Sequence, residues 1–222
     1  MMITNNQNLK STPDLLNKYE IYREQGIELI KDVIRYVPKE SFMSSAKQLG
    51  ISKGKNIYLN NEDESAVLFD FVVHHYQYNG KTAIIRYVDN KLNIAGELQP
   101  LLQAKKNSYY AILKVESVSK YGGIVVLDML RGNQQKLLID KGLNLSITKP
   151  AIIASTIMEF PEFIMTSGAS LPVTSMSSHV SYLLDNDFKE FTIKSKLEQS
   201  TLIATFLKYC LGMGISEHIR YI

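Results

Sequence analysis

Apolar positions near the start of the chain recur at the spacing of an α-helix. Between Leu15 and Tyr36 they alternate in steps of four and three residues, which is the pattern of a helix that buries one stripe. Thr12 suits the N-cap, Pro13 suits the first helical position, and Pro38 closes the segment. The seam consists of Leu15, Tyr19, Tyr22, Gly26, Leu29, Val33 and Tyr36. The pattern predicts a helix lying on a core, or alternatively a homodimer that forms through the first helix.

The remainder of residues 1–107 also has helical periodicity. A short helix is predicted over Ser41–Leu49, and a strongly apolar one begins after Asn60 or Asn61 and ends at Gly80. Either asparagine is a good N-cap, and the acidic residues that follow favour the positive end of the helix dipole. Two more short helices are predicted over 81–88 and 97–106. Residues 1–107 are therefore expected to form a helical N-terminal region.

The middle block, 108–173, changes to the composition and alternation of β-strands. Glycine-containing turns separate its segments, and Arg131-Gly132-Asn133 is typical of a tight hairpin. The predicted strands are Tyr109–Val118, Ile124–Leu130, Lys136–Asp140, Ala151–Met158 and Phe163–Thr166. Five short strands in so few residues indicate a small closed or half-closed barrel, because a flat sheet would leave hydrophobic edges exposed.

The last block, 174–222, returns to helical patterning. Helices are predicted over Ser175–Leu184 and Lys194–Leu211. The sequence thus predicts an α+β protein: a helical N-terminal part and C-terminal helices around a small five-stranded antiparallel barrel, SH3-like or OB-like.

Composition excludes several classes of protein. The 222 residues hold 25 Lys+Arg, 22 Asp+Glu and one cysteine, Cys210. One cysteine excludes a disulfide framework and zinc sites built on thiolate pairs. The N-terminus lacks the features of a secretory signal, and no apolar run is long enough to span a membrane. We therefore expect a bacterial cytoplasmic protein without membrane contact.

Candidate catalytic chemistry is sparse. Asp70 and His74 are four residues apart and therefore neighbours on one helical face, as in many general-base arrangements. Glu64, on the same predicted helix, is a third candidate. The alternative interpretation of the Asp70–His74 pair is an ordinary hydrogen bond on a helix. The common phosphate-binding loops, the serine-hydrolase elbow and clusters at metal-ligand spacing are missing, so we predict no cofactor and no metal site.

The predicted barrel carries a possible binding surface for RNA. Small barrels of this kind bind single strands through aromatic platforms and basic grooves. The candidate binding residues are Tyr109, Tyr110, Lys114, Tyr121, Arg131 and Lys136. The block holds six basic and five acidic residues, so solvated lysines and core tyrosines are the alternative interpretation.

Several segments together resemble an uncharacterised bacterial protein family. They are Ala46–Gly50, Glu62–Asp70, Arg86-Tyr87, Val125–Arg131 and Met165–Pro172, within roughly residues 40–173. In similar proteins this unit is sometimes followed by a SEC-C-type cysteine-rich zinc-binding tail. This chain departs from that pattern, since Cys210 is its one cysteine, so zinc-dependent recruitment is not implied. The resemblance implies no known activity.

Three functions follow from these observations. The first is a non-catalytic binding or adaptor protein that acts through protein–protein contacts, because the familiar catalytic templates are missing. The second is an RNA- or ribosome-associated protein that binds through the barrel. The third is an enzyme with an unlisted site near Asp70 and His74, which requires these residues and a partner to converge on one concave pocket.

Overall fold

The computed structural model describes residues 9–91, 96–119, 122–147, 151–173 and 178–212, without the side chains of 178–181. Within these ranges the chain forms the three predicted blocks, helical, strand and again helical, with short 3₁₀ turns between some elements. The helices are α1 Pro13–Val33, α2 Lys39–Gln48, α3 Glu62–His74, α4 Ala83–Asn90, α5 Gln99–Lys106, α6 Lys141–Ser146, α7 Ser178–Asp185 and α8 Lys196–Gly212. The strands are β1 Ser52–Lys53, β2 Asn56–Ile57, β3 Tyr109–Val118, β4 Ile124–Asp128, β5 Gln134–Leu138, β6 Ile152–Glu159, β7 Ile164–Thr166 and β8 Leu171–Pro172.

The predicted α+β class with a small five-stranded barrel is confirmed. Strands pair in the order β3-β4-β5-β7-β6, and β6 pairs again with β3 to close the barrel. The prediction of all-antiparallel strands is wrong in one place, because β5 and β7 pair in parallel at Leu138 and Ile164. The chain crosses from β5 through α6 and β6 before β7, so β7 returns in the direction of β5. The additional short strand β8 pairs with β6.

Helix α1 follows its predicted seam. The Thr12 hydroxyl accepts a hydrogen bond from the backbone N–H of Leu15, which caps the helix as expected. Its seam packs against the protein's own core, with Tyr19 and Tyr22 over the barrel and Leu29 and Val33 against the other helices. This seam is therefore occupied within the chain, and the homodimer through the first helix stays a prediction.

Several predicted element ends differ from the structure, and two of them have a local reason. Helix α3 ends at His74 rather than at Gly80, because Asn79 and Gly80 adopt positive φ angles in a tight turn that joins Tyr78 to Lys81. Strand β4 ends at Asp128, whose carboxylate accepts the N–H of Leu130 and starts a 3₁₀ turn. A polar side chain that bonds to the backbone thus ends β4, whereas α3 is followed by a tight turn with positive φ angles.

A second acid creates a helix that the sequence pattern did not predict. The carboxylate of Asp140, which was predicted to end the third strand, accepts the N–H of Leu143 and caps α6. This helix places Leu143 and Ile147 against the apolar interior of the barrel. The interior is filled by aliphatic side chains from all five strands, among them Leu113, Val126, Leu138, Ile153, Ile157 and Ile164.

Two groups of helices cover the outside of the barrel. Helices α2, α3, α7 and α8 lie over one part of it, around Phe71, Phe188 and Phe206. Helices α1 and α5 lie over the outer face of β6 and β7. The candidate site lies where α1, α3 and α5 meet this outer face.

Candidate functional site

A cavity of about 470 Å³ lies between α1, α3, α5 and the outer face of β6 and β7. Its floor is formed by buried side chains, including Val73, Met158 and Met165, and its rim by exposed ones such as Ile27 and Ser65. Ligand sites in proteins are typically concave, largely apolar spaces of this volume with a few polar groups. We call it the Asp70–Lys105 cavity after the two charged residues at its floor.

Helix α3 brings both predicted catalytic candidates to this cavity. Asp70 and His74 lie one turn apart on the same face, with 3.9 Å between Asp70 Oδ1 and His74 Nε2. The Nδ1 atom of His74 lies 3.0 Å from the hydroxyl oxygen of Ser108. Burial, aided by the positive charge of Lys105, holds the pKa of His74 well below its usual value. His74 is therefore neutral at pH 7, and the pair is not an ion pair.

Asp70 is bound to the barrel through a chain of side chains. The hydroxyl of Thr156, on β6, donates a hydrogen bond to Asp70 Oδ2. The same hydroxyl oxygen lies 2.7 Å from Nε2 of His75, and since its proton points to Asp70, it accepts the N–H of His75. Burial lowers the pKa of His75 to about 3, so this ring is neutral. The chain holds Asp70 in place without adding a charge.

The carboxyl group of Asp70 is only 12% exposed. Burial raises its pKa to about 6, against the opposing effects of the Thr156 and Ser167 hydroxyls and the charge of Lys105. A carboxyl group with a pKa near neutrality can both donate and accept a proton under physiological conditions.

Lys105, on α5, supplies the cation of the site. Its side chain is 4% exposed, and burial lowers its pKa to about 8, with Asp70 opposing and Arg23 adding to the shift. Among the residues that the structure describes, none forms a hydrogen bond or an ion pair within 4 Å with its ammonium group. Gly26 of α1 lies opposite, where an added Cβ would be 3.8 Å from the Lys105 nitrogen. The lysine is thus buried with its charge facing the cavity.

A second cation, Arg23, borders the cavity from α1. One guanidinium nitrogen donates to the backbone carbonyl of Thr166 at 3.1 Å. The other lies beside Gly168, where a Cβ would come within 2.7 Å of it and where φ is +113°. Gly168 therefore provides both the backbone conformation and the space that Arg23 needs.

The sequence reasoning missed Lys105 and Arg23. The signal for Lys105 was its place among the buried positions of α5, one turn after Leu101 and next to Ala104. A lysine on the apolar face of a short helix is rarely buried unless it serves a purpose. For Arg23 the sequence contains no comparable signal, since it follows Tyr22 on an otherwise charged helix.

Glu64, the third catalytic candidate, is not brought to this cavity. Its carboxylate is buried and accepts the N–H of Asn60 at 2.7 Å and the side-chain amide of Asn60 at 2.8 Å. Together with the Asn61 cap, these bonds satisfy the start of α3. Glu64 borders a different surface, with Tyr58 and Lys208, and has a local structural role.

Among the barrel residues predicted to bind RNA, the five that the structure describes do not form one free surface. Arg131 stacks over the ring of Tyr109, with 3.6 Å between Cζ and the ring centroid, and pairs with buried Asp128 at 3.1 Å. Lys136 pairs with Glu159, to which the Tyr109 hydroxyl also donates. These contacts neutralise the local positive charge.

The remaining candidates for RNA binding differ in their surroundings. Tyr110 is buried against His75 and Phe206, so it cannot stack on a base. Lys114 is exposed, with Glu116 at 3.9 Å. Tyr121 lies outside the described residues. The RNA-binding and adaptor functions are not tested by these contacts and stay predictions.

Nowhere in the described ranges do three or more His, Cys, Asp or Glu side chains come together in a way that could hold a metal ion. None of the helices formed by those ranges combines the length and the apolar character needed to cross a bilayer.

Comparisons with known proteins give one match. A family model described as a family of unknown function (DUF7986) matches residues 13–209. No curated protein and no solved structure matches the chain. The match covers all of the cavity-forming elements, from α1 to β7.

Proposed function

The chain belongs to the family of unknown function DUF7986, and from the geometry of its cavity we propose that it binds a small organic acid and promotes proton transfer on it. One observation carries this proposal. Two cations, Lys105 and Arg23, and a carboxyl group with a pKa of about 6, Asp70, border one largely apolar cavity of about 470 Å³. The bacterial cytoplasm, indicated by composition, is part of the proposal.

The cations account for the preference for an acid. Lys105 carries three N–H donors that no described residue uses, and a ligand carboxylate can accept them. Charge-assisted hydrogen bonds of this kind are stronger in an apolar cavity than in water. The charge of Arg23 adds to the attraction, because it lies close enough to lower the pKa of Lys105. An acid bound here would replace the solvent that a buried ammonium group has lost.

Asp70 accounts for the proton transfer. Its carboxyl group is oriented by the Thr156 hydroxyl, and Asp70 borders the cavity. With a pKa near 6, it is mostly ionised at pH 7 but is protonated at modest cost, which suits a general acid–base. His74 stays neutral beside it and supplies a ring nitrogen without competing charge.

Titration calorimetry at pH 7 tests the binding. The probes are acetate, succinate, 3-phenylpropanoate and inorganic phosphate, which differ in size, charge and apolar area. We expect 3-phenylpropanoate to bind best, because the cavity offers Phe69, Met158 and Met165 to its ring. Lys105→Met should weaken this binding about tenfold or more, as a charged hydrogen bond contributes roughly 1.5–3 kcal/mol.

Lys106→Met is the matched control. Lys106 is the next residue of the same helix, is exposed, and pairs with Asp89 at 3.3 Å. This variant should bind the probes as the unmodified protein does. Failure of every probe to bind would contradict the proposal, as would equal binding by the Lys105→Met variant.

A further inference from the structure

We propose that Lys105 is a covalent nucleophile that condenses with the carbonyl group of a 2-oxo acid bearing an apolar side chain, forming an imine in the Asp70–Lys105 cavity. This inference rests on the proposed function and assigns its substrate class. The geometry that carries it is a buried amine facing a ligand-sized space, without a hydrogen-bond partner among the described residues.

The position of Lys105 is not explained by a structural role. Asp70 already receives a hydrogen bond from Thr156, and no ion pair within 4 Å joins it to Lys105 in the ranges described. A lysine kept only to neutralise a buried acid would be expected to contact that acid, since burying an unpaired charge is costly. The ammonium group instead lies against the space left by Gly26.

The surroundings favour the reactive, neutral form of the amine. Lysines become nucleophilic when they are desolvated in an apolar pocket or lie near another cation. Both conditions hold, since burial and Arg23 lower the pKa of Lys105 to about 8. About one tenth of the amine is then neutral at pH 7, and about half at pH 8.

The groups that border the cavity are sufficient for imine formation. The lone pair of neutral Nζ attacks the carbonyl carbon, and a C–N bond forms as the carbonyl π electrons move to oxygen. That oxygen takes a proton from the acid form of Asp70, and the resulting Asp70 carboxylate takes one from the nitrogen, which gives a carbinolamine. Asp70 then gives this proton to the hydroxyl group, the C–O bond breaks, water leaves, and the nitrogen lone pair forms the C=N bond. The iminium group gives its last N–H proton to the Asp70 carboxylate, which regenerates the acid form. The net change is amine plus ketone to imine plus water, without an oxidant or a reductant.

The other residues that line the cavity indicate the substrate class. Arg23 offers a guanidinium group, which binds a carboxylate next to the reacting carbonyl. Phe69, Met158 and Met165 offer apolar contact for a side chain. A 2-oxo acid with an apolar side chain is the compact molecule that carries a carboxylate, an adjacent carbonyl and an apolar group together.

Reductive trapping tests this inference. The full chain is incubated with phenylpyruvate and sodium cyanoborohydride, which reduces an imine to a stable amine, and the adduct is located by intact mass and peptide mapping. We expect one adduct on Lys105 and none on Lys106, with more adduct at pH 8 than at pH 6. Asp70→Asn should slow trapping about a hundredfold, in the range of general acid–base effects.

One variant and one analogue serve as controls for the trapping experiment. Lys105→Arg retains the charge without the nucleophile and should form no adduct. Phenyllactate, which has a hydroxyl group in place of the carbonyl, should slow trapping by competition and form no adduct itself. Adducts spread over surface lysines, or trapping that persists in Lys105→Arg, would overturn the inference. If 3-phenylpropanoate binds but phenylpyruvate gives no adduct, the inference fails while the proposed function stands.

Discussion

The interior of the barrel and the Asp70–Lys105 cavity lie on opposite faces of the same strand, β6. Ile153 and Ile157 point inward and join an aliphatic core, whereas Thr156 and Met158 point outward to the helices and the cavity. The inner face holds packed apolar atoms, and the outer face holds a hydrogen-bonded acid and an open volume. Successive side chains of a strand point to opposite faces. The side chains on one face of β6 therefore stabilise the barrel interior, and those on the other face contribute to the candidate site.

Two buried acids show the same contrast. Asp140 caps α6 and also accepts a hydrogen bond from the Thr166 hydroxyl, so both of its oxygens are used by the fold. Asp70 receives Thr156 on one oxygen, while its other oxygen lies 3.9 Å from His74 and faces the cavity. Both oxygens of Asp140 thus accept hydrogen bonds within the fold, whereas Asp70 borders a cavity in which a ligand can reach it.

The largest effect on stability is expected from a substitution in the interior of the barrel. Leu113→Ala removes a fully buried side chain from the barrel core, which should lower the free energy of unfolding by about 2–5 kcal/mol. Urea denaturation measures the loss. Binding of 3-phenylpropanoate, measured where the variant is folded, should not change; weaker binding would show that the two faces are not independent.

The pH dependence of stability tests the raised pKa of Asp70 in the cavity. The pKa of Asp70 is raised from 3.8 to about 6 in the folded protein, so its stabilising contribution is complete below pH 4 and is lost as pH rises through 6. The loss corresponds to about 3 kcal/mol. Urea denaturation between pH 4 and 7 should therefore show a steeper decline for the unmodified protein than for Asp70→Asn. The control is Glu62→Gln at the exposed rim, and parallel profiles for all three proteins would contradict the assignment.

Lys105→Met should stabilise the fold while it removes binding. The lowered pKa of Lys105 means that its charged form costs stability below pH 8, and that this cost disappears as pH rises towards 10.5. Loss of the cation beside Asp70 offsets part of the gain, which leaves about 1–2 kcal/mol at pH 7. Thermal and urea unfolding at pH 7 and pH 10 measure it, with Lys106→Met as the control. A destabilised variant would show that Lys105 holds the fold together.

The smallest effect is expected on the exposed surface of the barrel. Lys114→Gln removes an exposed charge 3.9 Å from Glu116, and should change the free energy of unfolding by less than about 0.5 kcal/mol. The same variant examines the RNA prediction, since nucleic-acid binding through the barrel would become weaker and less dependent on salt. Unchanged, salt-independent behaviour in a filter-binding assay would remove Lys114 from that prediction.

Part of the candidate site was predictable because it depends on one helix. Asp70 and His74 are neighbours wherever α3 forms, since residues four apart share a face. Glu64 lies on the same helix, yet its proximity in sequence was misleading, because the backbone and side chain of Asn60 occupy its carboxylate. Lys105 and Arg23 come from two other helices, and no local sequence pattern predicts that these helices meet over β6 and β7.

The sequence by itself determined the α+β class, the alternation of a helical, a strand and a second helical region, and the face that α1 buries, because hydrophobic spacing and caps act within a few residues of one another. The tertiary structure decided the parallel pairing of β5 with β7, the end of α3 at His74, and the meeting of Asp70, Lys105 and Arg23 around one cavity. These features depend on contacts between segments far apart in the chain. They also depend on burial, which sets the pKa of each group and is a property of the assembled fold.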